Sequence, residues 1–258
     1  MSSDWLIELS EVSKTFSAQD RREVQALTNI SLRIRRNEFF SIIGPSGCGK
    51  TSLLKLIAGL YPATRGSIRI RGTSVEQTKA RREFGMVFQD PVLLPWRTVF
   101  ENSRLLVEVV KRDRTVPAMR TMDLLRQAGL ERFIHKYPFE LSGGMRQRVA
   151  IVRALSLEPS ILLMDEPFSS LDELTREQMN LDLLRIWEQH ATTVCFVTHS
   201  IPEAVFLSDR ILVLSARPGH TIDTIEVPLP RPRKIQMKEE ESFIKIVKRI
   251  RQLIQPSL

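Results

Sequence analysis

The run Gly44-Pro45-Ser46-Gly47-Cys48-Gly49-Lys50-Thr51, followed by Ser52, has the composition of a phosphate cradle. Its glycines let the backbone curl until successive amides surround a β-phosphate. Lys50 adds a point charge toward the β- and γ-phosphates, and the Thr51 hydroxyl suits a Mg²⁺ ion accompanying the nucleotide. The spacing Gly-x4-Gly-Lys-Thr is specific, and its surroundings agree. Apolar EFFSII precedes it as a buried strand, and TSLLKLIAGL follows with Leu53, Leu54, Ile57 and Ala58 at helical spacing.

Two further groups carry chemistry. In ILLMDE, four apolar residues predict a buried strand, and Asp165 emerges at its C-terminal end, where open α/β sheets bind ligands. A carboxylate there can hold a Mg²⁺ shell, and the adjacent Glu166 can polarise an attacking water. Alone, the pair could equally cap the turn at Pro167. In LSGGM, Leu141–Met145, paired glycines behind a serine suit neither a core nor a helix interior. They can cradle an anion at a helix start, although the chain already has a phosphate loop upstream. Ser142 can also serve simply as an N-cap for the helix through Arg148.

These groups need a scaffold. LIELSEVSKTF, VQALTNISLRI and GSIRIRG read as strands, as do SILLMDEP and TTVCFVTHS. Between Pro91 and Pro159 the pattern turns helical, and LTREQMNLDLLRIWEQH is a further helix. Strand–helix alternation of this kind predicts an α/β core with a parallel sheet and an inserted helical subdomain at about 91–159. VPLPRPRK reads as a linker, and the last segment puts Phe243, Val247, Ile250 and Ile254 on one helical stripe, expected to pack on its own domain. The chain's 258 residues, 42% hydrophobic, suffice for a sizeable core. Two cysteines make no disulfide framework, which suggests a reducing compartment. No secretory signal and no apolar run of membrane-spanning length is visible, so the expectation is a soluble protein or one held at a membrane by a partner. The net charge of +8 admits nucleic acid, nucleotides or an anionic membrane face, or no partner at all.

Together the motifs resemble the ATP-binding subunit of an ABC transporter, in that family's order over roughly residues 5 to 215. LSGGMRQRVAIVRAL is similar to the family's signature loop and helix, SSLD (Ser169–Asp172) to its D-loop, and His199 to its switch histidine. Gln89 in MVFQD falls at the Q-loop glutamine, and Phe16 at the aromatic that stacks on adenine. The resemblance implies a P-loop NTPase fold of the ABC type, with a parallel sheet core, an N-terminal antiparallel β subdomain and an inserted α-helical subdomain. It implies an ATP-binding domain over residues 1–228 and a C-terminal linker and amphipathic helix over 229–258. It further implies ATP hydrolysis with Mg²⁺ held by Thr51, Gln89 and Asp165. Glu166 would be the general base, His199 a contact to the γ-phosphate, and Gln89 a sensor of the nucleotide. Residues 44–52 and Phe16 would hold ATP in one chain. Ser142, Gly143 and Gly144 would close on the γ-phosphate of a second copy packed head to tail, with Asp172 at the junction. Met145 stands where many relatives carry Gln, and Ser170 where Ala is common. Met145 follows the glycines expected to face the phosphate, and Ser170 is a small change, so neither departure alters the expectation of an ATPase.

LLPWRTVFEN, MDEPFSSLD, HSIPEAVFLSDRILVLSARPG and EVPLPRPR are similar to phrases of the nitrate/sulfonate/taurine/bicarbonate importer branch. Related importers of pyrimidine-type vitamin precursors share them. This implies separate integral membrane permease subunits, an extracytoplasmic solute-binding protein, and a place on the cytoplasmic face of the cell membrane. Leu93, Leu94, Pro95 and Trp96 are the apolar residues that could receive a permease helix, or Trp96 could pack in the subdomain core. Only about ninety residues separate phosphate loop and signature, too few for the long coiled coil of chromosome ATPases. No aromatic-interleaved basic platform for nucleic acid is visible, so no nucleic-acid partner is expected.

Overall fold

The computed structural model describes residues 5–17, 23–80, 83–110, 117–190 and 192–255. In chain order the strands and α-helices are β1 (Trp5–Ser17), β2 (Glu23–Arg35), β3 (Phe39–Ile43), α1 (Lys50–Ile57), β4 (Arg65–Ile70), β5 (Thr73–Ser74), α2 (Val75–Ala80), β6 (Phe84–Val87), α3 (Val99–Val110), α4 (Ala118–Gln127), α5 (Gly143–Leu155), β7 (Ile161–Asp165), α6 (Glu173–Gln189), β8 (Thr193–Val197), α7 (Ile201–Leu207), β9 (Arg210–Leu214), β10 (Thr221–Glu226) and α8 (Glu241–Ile254). They form two compact units, Met1–Arg82 with Thr193–Leu258, and Glu83–Thr192.

The first unit holds an antiparallel sheet in the order β2-β1-β4-β5. β1 and β2 alternate buried and exposed positions, as strands with one wet face do. Beside that sheet, β3 runs parallel to both β8 and β9, and β10 pairs antiparallel with β9. All five residues of β3 and of β8 are buried, which explains why their sequences read as unbroken apolar runs. The register sets Ile42 against Val197 and Ile43 against Val213, so the segments after β3, β8 and β9 leave from one end.

The C-terminal segment belongs to this unit. Arg231 pairs with Asp209 at 2.8 Å and donates to the Leu207 carbonyl, and Arg233 donates to that of Ser208. Val227 and Leu229 are buried, so the proline-rich stretch is anchored along much of its length. In α8, Phe243 and Ile250 are buried while Val247 and Ile254 are half-buried, and the helix packs on α7 and β9. The apolar stripe is therefore spent on its own unit.

In the second unit, β6 and β7 pair in parallel, with Phe84 opposite Ile161 and Val87 opposite Met164. Helices α3, α4 and α5 lie between them in sequence, and α3 and α4 both pack on α5. Sequence periodicity found these helices, but β5, α2 and β6 are too short to show a period.

Candidate functional site

The phosphate loop leaves β3 and ends at Gly49, the N-cap of α1, whose φ of 100° favours glycine. A Cβ on Gly49 would also lie 2.9 Å from the Ala26 carbonyl oxygen and 2.8 Å from Leu27 Cδ2, so close packing adds to the conformational demand. At Gly47 the opposite holds: nothing lies within 4 Å of an added Cβ, because that side of the loop is open. Lys50 is 5% exposed, and its ammonium donates to the carbonyls of Gly44 and Pro45 at 3.0 and 3.1 Å. The lysine thus braces the loop it belongs to. Thr51 and Ser52 follow in the first turn of α1, half-buried.

His199 lies in the same unit, exposed two residues beyond β8, the strand beside β3. Thr198, buried just before it, donates to the buried carboxylate of Glu203 and accepts from the Ser200 amide. Ser200 N-caps α7 through the Glu203 amide. Phe16 stands at the end of β1, its ring edge-on to Tyr61 at 5.4 Å with the Lys14 ammonium 4.9 Å from its centroid.

The second unit gathers the remaining candidates. Gln89 follows β6 and is exposed. Asp165 ends the neighbouring β7, with Glu166 next, both half-buried. Glu166 has φ 45°, a left-handed conformation uncommon for a non-glycine residue. Its carbonyl accepts from the Ser169 hydroxyl at 3.0 Å, and Phe168 is buried, so the surrounding turn holds the strained backbone in place.

Ser142 is the N-cap of α5, its hydroxyl accepting from the Met145 amide at 3.3 Å. Ser142 and Gly143 are exposed at this end, whereas Gly144 is buried. A Cβ on Gly144 would sit 3.1 Å from Thr175 Cγ2, so this glycine also serves the packing of α5 on α6. Asp172 N-caps α6, accepting from the Thr175 amide at 3.0 Å. That hydrogen bond, foremost, holds the Asp172 carboxyl below its ordinary pKa. A lowered carboxylate pKa contributes stability that is present above the unfolded-state value and disappears as pH falls through the native one. Asp172→Asn, which keeps a capping acceptor without the charge, is therefore expected to flatten the loss of thermal stability below about pH 4. An unchanged acid limb in thermal melts would contradict this.

Sequence reasoning missed how this unit holds its loops. Gln147, 2% exposed, donates to the Phe88 carbonyl at 3.1 Å, and buried Arg153 donates to the carbonyls of Pro91 and Val92 at 2.7 and 2.8 Å. Helix α5 thus grips both sides of Gln89. An arginine inside the apolar run VAIVRAL was the available signal. The LLPWRT turn is organised by Asn102, fully buried, which accepts from the Leu94 amide and donates to the carbonyls of Leu94, Arg97 and Thr98. Trp96 is 70% exposed on that turn, which excludes the alternative of a core tryptophan. Among the described residues no helix is long and apolar enough to cross a membrane.

A glycine-rich phosphate loop on a buried parallel strand, with an acidic pair ending a second one, defines a P-loop ATPase cassette. Residues 27–169 match the ABC transporter family. The chain is 45% identical to the aliphatic sulfonates import ATP-binding protein SsuB of Bacillus cereus, over 98% of this chain and 99% of that protein. It is 45% identical to the taurine import ATP-binding protein TauB of Rhizobium johnstonii, over 88% of this chain and 86% of that one. A dimeric post-hydrolysis ATP-binding cassette, MJ0796 bound to ADP and Pi, is 34% identical and superposes with a TM-score of 0.75, covering 87% of this chain and all of that one. The chain belongs to the ABC transporter family, and it is an ATPase of that family.

Proposed function

We propose that the chain is the ATP-hydrolysing subunit of an importer for small, anionic solutes of the sulfonate, taurine, nitrate or bicarbonate type. The observation that carries this is the 45% identity with a sulfonate import subunit along 98% of the chain, C-terminal helix included. The loop amides, Lys50 and Phe16 would hold ATP. Glu166 would accept the proton of the attacking water, and His199 would hold the γ-phosphate. Thr51, Gln89 and Asp165 offer only oxygen donors, the set Mg²⁺ prefers, and Mg²⁺ there would neutralise charge on the phosphoryl group.

The exposed Ser142–Gly143 end of α5 would close on the γ-phosphate held by a second copy packed head to tail, as a two-fold dimer allows twice. The exposed Trp96 turn would receive integral membrane permease subunits, placing the chain at the cytoplasmic face of the membrane. An extracytoplasmic binding protein would deliver the solute. ATP favours the closed dimer, hydrolysis releases it, and that difference in affinity shifts the permease between states.

The test is a tagged pull-down from gently solubilised native membranes. A polytopic membrane protein recovered in one-to-one proportion is the expected result. Recovery from the soluble fraction alone, without any membrane partner, would leave the ATPase and remove the importer.

A further inference from the structure

The underside of the phosphate loop rests on the end of the HSIPEAVFLSDRILVLSARPG segment, to which no role in binding nucleotide has been given above. The loop joining β9 to β10, Ser215–His220, is zipped to β2: the Gly219 amide donates to the Ala26 carbonyl at 3.0 Å and the Gly219 carbonyl accepts from the Thr28 amide at 2.9 Å. Gly219 is buried there, pressed against the phosphate loop. A Cβ built on Gly219 would lie 2.0 Å from the Cys48 carbonyl oxygen and 3.2 Å from Leu27 Cδ2. No side chain fits at that distance without displacing the Cys48 peptide. Residues of the same layer floor the rest of the loop, since a Cβ on Gly44 would meet the Leu214 carbonyl oxygen at 2.8 Å.

The supporting loop is itself locked. Ser215 is buried, and its hydroxyl lies within hydrogen-bonding distance of Ala216 O at 2.8 Å, Pro218 O at 3.2 Å and His220 Nδ1 at 2.7 Å, while accepting from the His220 amide at 3.0 Å. The Ser215 amide donates to the His220 carbonyl. One hydroxyl thus closes the turn that presents Gly219.

We infer that Gly219 is a positioning residue for the nucleotide's phosphates, and that the Ser215–His220 loop is the rigid floor of the phosphate loop. The inference rests on the nucleotide reading of residues 44–52. Its physical basis is that amides bind a phosphate only when several point at it together. A floor that fixes the Cys48 peptide fixes the amides on either side. Gly219 would act through the Cys48 peptide rather than by contact with the nucleotide.

The experiment is calorimetric titration of the full chain with ADP and with ATP, well below the melting temperature of each apo protein. Gly219→Ala is expected to weaken ADP and ATP binding by the same factor, about tenfold or more, because the lost geometry concerns the phosphates both nucleotides share. Ser215→Ala, which loosens the turn without adding volume, is expected to weaken both by about threefold. A purely structural role would lower the melting temperature and leave the affinity of the folded protein unchanged. Folded variants that both bind ADP within twofold of the wild type would overturn the inference alone. If Gly219→Ala does not fold, Ser215→Ala decides by the same criterion. A wild-type chain that binds neither nucleotide would overturn the nucleotide reading itself, and this inference with it.

Discussion

Glu166→Gln is expected to lower steady-state ATP hydrolysis by about 10²–10⁴-fold, the usual contribution of a positioned general base, while leaving ATP binding intact. Glutamine keeps the size of glutamate and can still hydrogen-bond water, but it cannot take the proton. The backbone sets this residue just past the end of β7 in a defined turn. Glu166 is left-handed there, and the Ser169 hydroxyl bonded to its carbonyl fixes the turn that presents it. On the proposed cycle, in which hydrolysis ends the closed state, the variant should also accumulate as an ATP-bound dimer. Phosphate release assays measure the first effect and size-exclusion chromatography with ATP the second. Turnover within a few-fold of wild type would remove Glu166 from the base role.

Lys50→Ala acts one step earlier. The Lys50 side chain is buried and its ammonium donates to two loop carbonyls, so it braces the cradle in which it would hold the phosphates. Losing charge-assisted hydrogen bonds of about 1.5–3 kcal/mol should raise the Kd for ATP by about tenfold to a hundredfold. The loss for ADP should be smaller, since the γ-phosphate contact is absent. Titration calorimetry reads both, and a Kd for ATP within twofold of wild type would refute the assignment. The two variants separate binding from chemistry: one keeps affinity and loses turnover, the other loses affinity first.

Much of the site was legible because its chemistry is local. Residues 44–52 contain their whole cradle within nine positions, and Asp165 and Glu166 sit beside the apolar run that aims them. The parallel strands announced themselves because burial on both faces leaves no polar alternation. The α8 stripe was legible for the opposite reason, a single apolar face at helical period, of which Phe243 and Ile250 are buried and Val247 and Ile254 half-buried. The reading was weakest where elements are short or where meaning depends on a distant neighbour. The strand β6 has four residues and no period. VPLPRPRK reads as a linker by composition, yet Arg231 and Arg233 fasten it to residues far upstream.

The sequence by itself therefore determined the family, the nucleotide chemistry and the identity of the residues expected to perform it, since each of those motifs is a contiguous run whose spacing is its geometry. Only the tertiary structure decided what holds those runs in place: Asn102 under the Trp96 turn, Arg153 and Gln147 beside Gln89, and Gly219 under Cys48. Each of these is a contact between residues apart in sequence, from 8 positions between Leu94 and Asn102 to 171 between Cys48 and Gly219 (219 − 48), made by hydrogen bonds to backbone groups or by simple lack of room. Backbone partners carry no side-chain signature, and a missing side chain leaves no pattern to read.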